Sequence, residues 1–162
     1  MADLSSNFMK PIDFKKACAQ WCTGVSIVTA TDETGSDFGL TVNSVTSVSV
    51  DPPLMLVCID NGSATLGALK SKGSFCINIL SAEQQELSVL FATRDADKFG
   101  ALTPTRGILD LPVLGGCIIS LECEIEAIYP GGDHEIVVGR LKNIIEGDIT
   151  SKPLLFMNGK YS

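Results

Sequence analysis

Leu121-Glu122-Cys123-Glu124-Ile125-Glu126-Ala127-Ile128-Tyr129 alternates apolar and acidic side chains with a period of two. That period puts Leu121, Cys123, Ile125, Ala127 and Tyr129 on one side of an extended chain, and Glu122, Glu124 and Glu126 on the other. A strand with one dry and one wet face belongs in an antiparallel sheet. Pro130-Gly131-Gly132-Asp133 then supplies turn chemistry, and Glu135 to Glu146 reads as the returning strand.

Working outward from this hairpin, further strands are expected at Val25 to Thr31, Phe38 to Val50, Leu54 to Ile59, Phe75 to Leu80 and Leu154 to Tyr161. Phe38 to Val50 carries a polar interruption at Thr41, Asn43 and Ser44, and Asp51-Pro52-Pro53 breaks the ladder after it. Three helices separate the strands. In the first, Phe14, Ala17, Cys18, Trp21 and Cys22 recur at helical spacing, with Asp13 as cap and Gly24 as stop. The second runs from Thr65 to Lys72 and ends at Gly73. The third begins at Ser81, with Gln84 at capping-box spacing, and runs to Ala92. Asp97 to Phe99 adds a turn of helix, and Gly100 to Leu111 is a loop. The pattern predicts a mainly β chain, an antiparallel barrel with helices at its flank. No G-x-G-x-x-G opens a helix after a strand, so a Rossmann nucleotide site is not supported.

The length, 162 residues, fits a single domain over 1–162. Hydrophobic residues make up 45% and charged residues 19%, which excludes a disordered chain. The apolar share exceeds what so small a monomer needs, and a buried homodimer interface is expected. A net charge of -7 argues against nucleic acid and anionic membranes as partners. The six cysteines form no C-x-x-C pair and only one histidine is present, so no metal centre is expected. Most sit in apolar runs and read as buried free thiols in a reducing compartment. Met1 to Lys10 holds no long apolar run and is not a signal peptide. No stretch approaches the roughly 20 apolar residues of a spanning helix, so a soluble cytoplasmic protein is expected.

Four polar features could carry chemistry. Thr41-Val42-Asn43-Ser44-Val45-Thr46-Ser47 alternates short polar groups with valines. It reads either as a Ser/Thr ladder between strands or as the bed of a flat polar ligand. Asp60-Asn61-Gly62-Ser63-Ala64-Thr65 stands between a buried strand and a helix, as an ordinary N-cap or an anion site. Phe91-Ala92 and Asp97-Lys98-Phe99 offer aromatic rings and a lysine that could reach a phosphate, or core rings beside a solvated lysine. Gly132-Asp133-His134 places the only histidine at a tight turn.

Taken in order, these segments resemble the flavin reductase-like family, which includes the reductase components of two-component flavin monooxygenases. Thr23-Gly24-Val25, Gly39-Leu40-Thr41-Val42-Asn43-Ser44, Asp51-Pro52-Pro53-Leu54, Phe75-Cys76-Ile77-Asn78, Asp97-Lys98-Phe99 and Val138-Gly139-Arg140 carry the match, together with Gly132-Asp133-His134. The resemblance implies a split antiparallel β-barrel of FMN-binding type that forms a homodimer. It implies that Thr41, Val42, Asn43, Ser44, Val45, Thr46 and Ser47 meet the isoalloxazine and ribityl groups, with Cys58, Ile59 and Asp60 lining the same pocket. Ser63, Ala64 and Thr65 would hold the phosphate, while Phe91, Ala92, Lys98 and Phe99 complete the site and His134 stands near the nicotinamide. The implied activity is NAD(P)H-dependent flavin reduction: NADH or NADPH is the co-substrate, FMN or FAD the flavin, and a monooxygenase or other electron-accepting protein the partner. A non-catalytic electron-transfer flavoprotein with tightly bound FMN is the alternative. An oxidase acting on a phosphorylated pyridine is disfavoured by the scarcity of basic residues.

Overall fold

The computed structural model describes residues 10–94 and 97–162. The reading of Met1 to Lys10 falls, Lys10 apart, outside the described residues. In chain order the elements are α1 (Pro11–Cys18), β1 (Thr23–Gly24), β2 (Ser26–Thr31), β3 (Asp37–Val42), β4 (Val45–Ser49), β5 (Leu54–Asp60), α2 (Ala64–Lys72), β6 (Ser74–Ile79), α3 (Gln85–Ala92), β7 (Thr105–Arg106), β8 (Pro112–Val113), β9 (Ile119–Gly131), β10 (His134–Glu146), β11 (Leu155–Met157) and β12 (Lys160–Tyr161).

Seven strands form one antiparallel sheet in the order β3-β2-β6-β9-β10-β5-β4. Its spine is the β9–β10 hairpin, 13 residues in each strand. Pro130 and Gly131 pair with Glu135 and His134, so the turn narrows to Gly132-Asp133, with Gly132 at φ 80. The expected single strand Phe38 to Val50 is broken at Asn43-Ser44 into β3 and β4, which end up at opposite edges of the sheet. The sheet curls about one core drawn from β2, β5, β6, β9, β10 and α2, including Val28, Val57, Leu69, Phe75 and Val137. No ladder joins β3 to β4, so the barrel stays split.

Strand β2 is buried along its whole length because both faces are covered. Val28 and Ala30 enter the barrel core, while Ile27 joins Leu80, Phe91 and Leu154 in a second cluster beneath α3. Ser81 and Gln84 form the expected capping box, and Gly73 ends α2 in the left-handed region at φ 73.

Three expectations need correction. The first helix starts earlier, with Pro11 in its first turn and Lys10 at the cap, and it stops at Cys18. None of its residues is buried; Phe14 and Trp21 are 59% and 76% exposed, and Cys18 and Cys22 are exposed thiols. The apolar stripe is real, but no element among the described residues covers it. Second, Leu154 to Tyr161 folds as the small β11–β12 hairpin, turned at Asn158-Gly159, and pairs with β1 rather than with the barrel. Third, Glu122 lies on the face expected to be wet yet is fully buried, because the loop before β8 roofs it.

Candidate functional site

A cleft of about 990 Å³ opens where β3, the β5–α2 link and the end of α3 meet. Its size falls within the ordinary range of ligand pockets. The β5–α2 link is shaped by Asp60, whose Oδ1 accepts the Gly62 N–H at 2.7 Å while its carbonyl accepts the Ser63 N–H at 3.0 Å. Ser63 has the extended backbone of a cap residue, yet its hydroxyl makes no capping bond. The first N–H groups of α2 have no intrahelical acceptor by construction. A helix start with an uncommitted hydroxyl beside it is a ready anion cradle.

The facing wall is aromatic and braced. Phe91 and Phe99 meet edge to face, with ring centroids 5.3 Å apart. Lys98 donates from Nζ to the Gly39 carbonyl at 2.9 Å and the Phe91 carbonyl at 3.0 Å, tying β3 to the end of α3. Burial holds its pKa below the usual lysine value. Thr41 Oγ1 donates to the Ser88 carbonyl at 2.6 Å, a second tie between the same elements.

Of the residues singled out from sequence, Thr41, Asp60, Ser63, Ala64, Thr65, Phe91, Ala92, Lys98 and Phe99 line this cleft. The rest of Thr41 to Ser47 turns away along the open seam. Asn43, Thr46 and Ser47 are exposed, and Val42 is buried in the core. Ser44 Oγ donates to the Cys58 carbonyl at 2.8 Å, and the Cys58 N–H returns to the Ser44 carbonyl at 3.3 Å. Strand β4 is an edge, so one row of its backbone donors and acceptors has no strand partner. Ile59 is fully buried and can meet a ligand only through its main chain.

His134 does not line the cleft; it pairs in register with Asp60, one strand away. Its Nδ1 lies 2.7 Å from Asp133 Oδ1, and that bond, with the imidazole's charge behind it, lowers the Asp133 pKa. The hairpin tip is docked on the β5–α2 link: Asn61 donates its N–H to the Asp133 carbonyl at 3.0 Å and its side-chain amide to the Gly132 carbonyl at 3.3 Å.

The structure also brings in residues that sequence reasoning did not select. Asp37 to Leu40 and Arg94 line the cleft. For Arg94 a signal existed, since it sits two residues past α3, between the two aromatic segments already chosen.

A family model described as "Flavin reductase like domain" matches residues 18–162. The reductase subunit HsaB of a flavin-dependent monooxygenase from Rhodococcus jostii is 35% identical over 159 residues, covering 98% of this chain and 80% of that protein. The NADH-dependent FMN reductase AsuE2 of Streptomyces nodosus is 32% identical, covering 93% of this chain and 83% of that protein. Among solved structures, the NADH:FAD oxidoreductase SgcE6 of Streptomyces globisporus, in complex with NAD and FAD fragments, superposes with a TM-score of 0.88 at 28% identity, covering 97% of this chain and 96% of that one.

Proposed function

The chain belongs to the flavin reductase like family and is an oxidoreductase of the flavin reductase kind, and from that premise we propose that it moves a hydride from NADH or NADPH to FMN held in the cleft beside α2. The observation that carries this reading is the uncommitted Ser63 hydroxyl at the start of α2, facing an aromatic wall across a cleft of ligand size. That donor set fits a phosphorylated flavin: a polar cradle for the anion, apolar contact for a flat ring, and unpaired main-chain groups for its polar rim.

Bound flavin supplies the two-electron acceptor, and the hard chemistry belongs to it. The chain's own residues bind and orient. Ser63, Ala64 and Thr65 hold the phosphate with the hydroxyls and N–H groups of the first helical turn. Thr41 to Ser47, with Cys58 to Asp60, present short polar groups and main chain along the seam. Phe91, Ala92 and Phe99 give the ring an apolar flank, and Lys98 keeps that flank fixed to β3. His134, anchored through Asp133, stands at the hairpin tip where a nicotinamide would approach.

The relatives support a monooxygenase or similar electron-accepting protein as partner. The exposed Ile12, Phe14, Trp21, Val48 and Val50 support a homodimer that covers them. The free thiols suit a reducing, cytoplasmic setting. In the described residues no helix is long and apolar enough to cross a membrane.

The test is direct. Purified protein with added FMN should oxidise NADH or NADPH, and without flavin it should not. Protein that retains FMN while leaving both nicotinamides untouched would instead be an electron-transfer flavoprotein fed by another protein.

A further inference from the structure

We propose that Arg94, rather than Lys98, grips the phosphate by which the cleft selects phosphorylated flavins over unphosphorylated ones; the inference rests on the flavin reading above. Two cations line the cleft, Arg94 and Lys98. Lys98 spends two of its three N–H groups on the Gly39 and Phe91 carbonyls, and those bonds make it a cross-tie between β3 and α3. Arg94 is exposed, stands two residues beyond α3, and makes no hydrogen bond to any described residue.

The carboxylates along the same wall have other partners among the described residues. Asp37 is gripped by both terminal nitrogens of Arg106, at 2.7 and 2.9 Å. Asp60 and Asp97 each accept a backbone N–H, from Gly62 and Gly100. Among the described residues, none of these carboxylates hydrogen-bonds the Arg94 guanidinium. A helix start supplies only about half a unit of positive charge. A phosphate monoester brings close to two negative charges into a chain whose net charge is -7. The planar guanidinium fork matches phosphate oxygens two at a time. Arg94 is thus the cation on this wall whose donors, among the described residues, are all free to grip the phosphate, while Lys98 spends two of its three donors on setting the shape of the wall.

The experiment titrates FMN and riboflavin separately, by quenching of flavin fluorescence and without nicotinamide. Arg94→Ala should weaken FMN about tenfold, as expected for a lost charge-assisted bond, and leave riboflavin within about twofold. Arg94→Lys should recover part of the loss, since it keeps the charge but not the fork. Lys98→Met should weaken both flavins together and lower the melting temperature. The proposal is overturned if Arg94→Ala binds FMN like the parent protein, or loses riboflavin to the same extent. Should it fail while a Ser63→Ala/Thr65→Ala double variant still weakens FMN, the flavin reading stands alone. A parent protein that binds neither flavin overturns both.

Discussion

The molecule holds two polar clusters used in opposite ways. One is sealed. Asn78 is fully buried; its amide donates to the Ile27 carbonyl at 3.2 Å and to Thr29 Oγ1 at 3.1 Å, and its oxygen accepts from Leu114 N–H at 3.0 Å and Ser120 Oγ at 2.9 Å. Glu122, also fully buried, accepts from the Ile108 and Leu109 N–H groups and from the Asn143 side chain, at 2.8, 3.0 and 2.9 Å. The other cluster is the cleft, where the Ser63 hydroxyl and the Arg94 guanidinium have no partner among the described residues. A satisfied polar group holds the fold together, and an unsatisfied one at a cleft is available to a ligand. Satisfaction separates the two roles.

The contrast would break most sharply at Glu122. Glu122→Ala leaves three donors without their acceptor and an empty space in a fully buried site, and should cost about 2–3 kcal/mol of stability in urea unfolding. The folded fraction should bind FMN with parental affinity. An effect on affinity larger than on stability would mean that the sealed cluster also serves the ligand. The glycine before this loop is part of the same device, since a Cβ on Gly107 would lie 2.2 Å from the Glu122 carboxyl group.

The mirror test removes Ser63 and Thr65 hydroxyls together. It should weaken FMN by about 1–3 kcal/mol, read by the same fluorescence titration, and any fall in melting temperature should come from the buried Thr65. The Ser63 hydroxyl caps nothing, so its loss leaves the helix intact. Unchanged affinity would remove this turn from the site.

Buried thiols sharpen the picture of the sealed side. Burial pushes the Cys117 thiol up to about 11, and burial with the nearby Glu122 charge pushes Cys123 up to about 12. The folded chain keeps these protons after the unfolded chain, near 9.0, has lost them. Their stabilisation is therefore complete below pH 9 and lost as pH rises through 9 towards 11 and 12. By pH 10 each should cost about 1.4 kcal/mol, read as a falling urea midpoint. A thiol reagent at pH 8 should spare Cys117 and Cys123 in the native protein.

Period-two alternation made the β9–β10 hairpin legible, and capping chemistry located α2 and α3. The buried face of Glu122 was not legible, because its roof comes from a loop with no periodicity of its own. The break at Asn43-Ser44 was visible as polarity but not as a change of sheet edge, since pairing partners lie far away in sequence. In the site, the helix start and the aromatic segments could be read from turn and cap residues. Arg94 had only a positional signal, between the two aromatic segments; that Lys98 is committed to the Gly39 and Phe91 carbonyls is a fact of geometry alone.

His134 is the smallest expected effect and the finest division between the two clusters, because it belongs to neither. Its ring is partnered on one nitrogen by Asp133, which leaves Nε2 directed away from that bond; its side chain is 42% exposed. His134→Ala should leave flavin affinity unchanged and lower kcat/KM for the nicotinamide several-fold, about 1 kcal/mol. The docking of the hairpin tip on the β5–α2 link runs through the Gly132 and Asp133 carbonyls, which the substitution retains. A purely structural histidine would therefore show in neither measurement. Parental kcat/KM would return His134 to an incidental turn residue, whereas a matching loss of flavin affinity would mean that the tip shapes the phosphate cradle through Asn61.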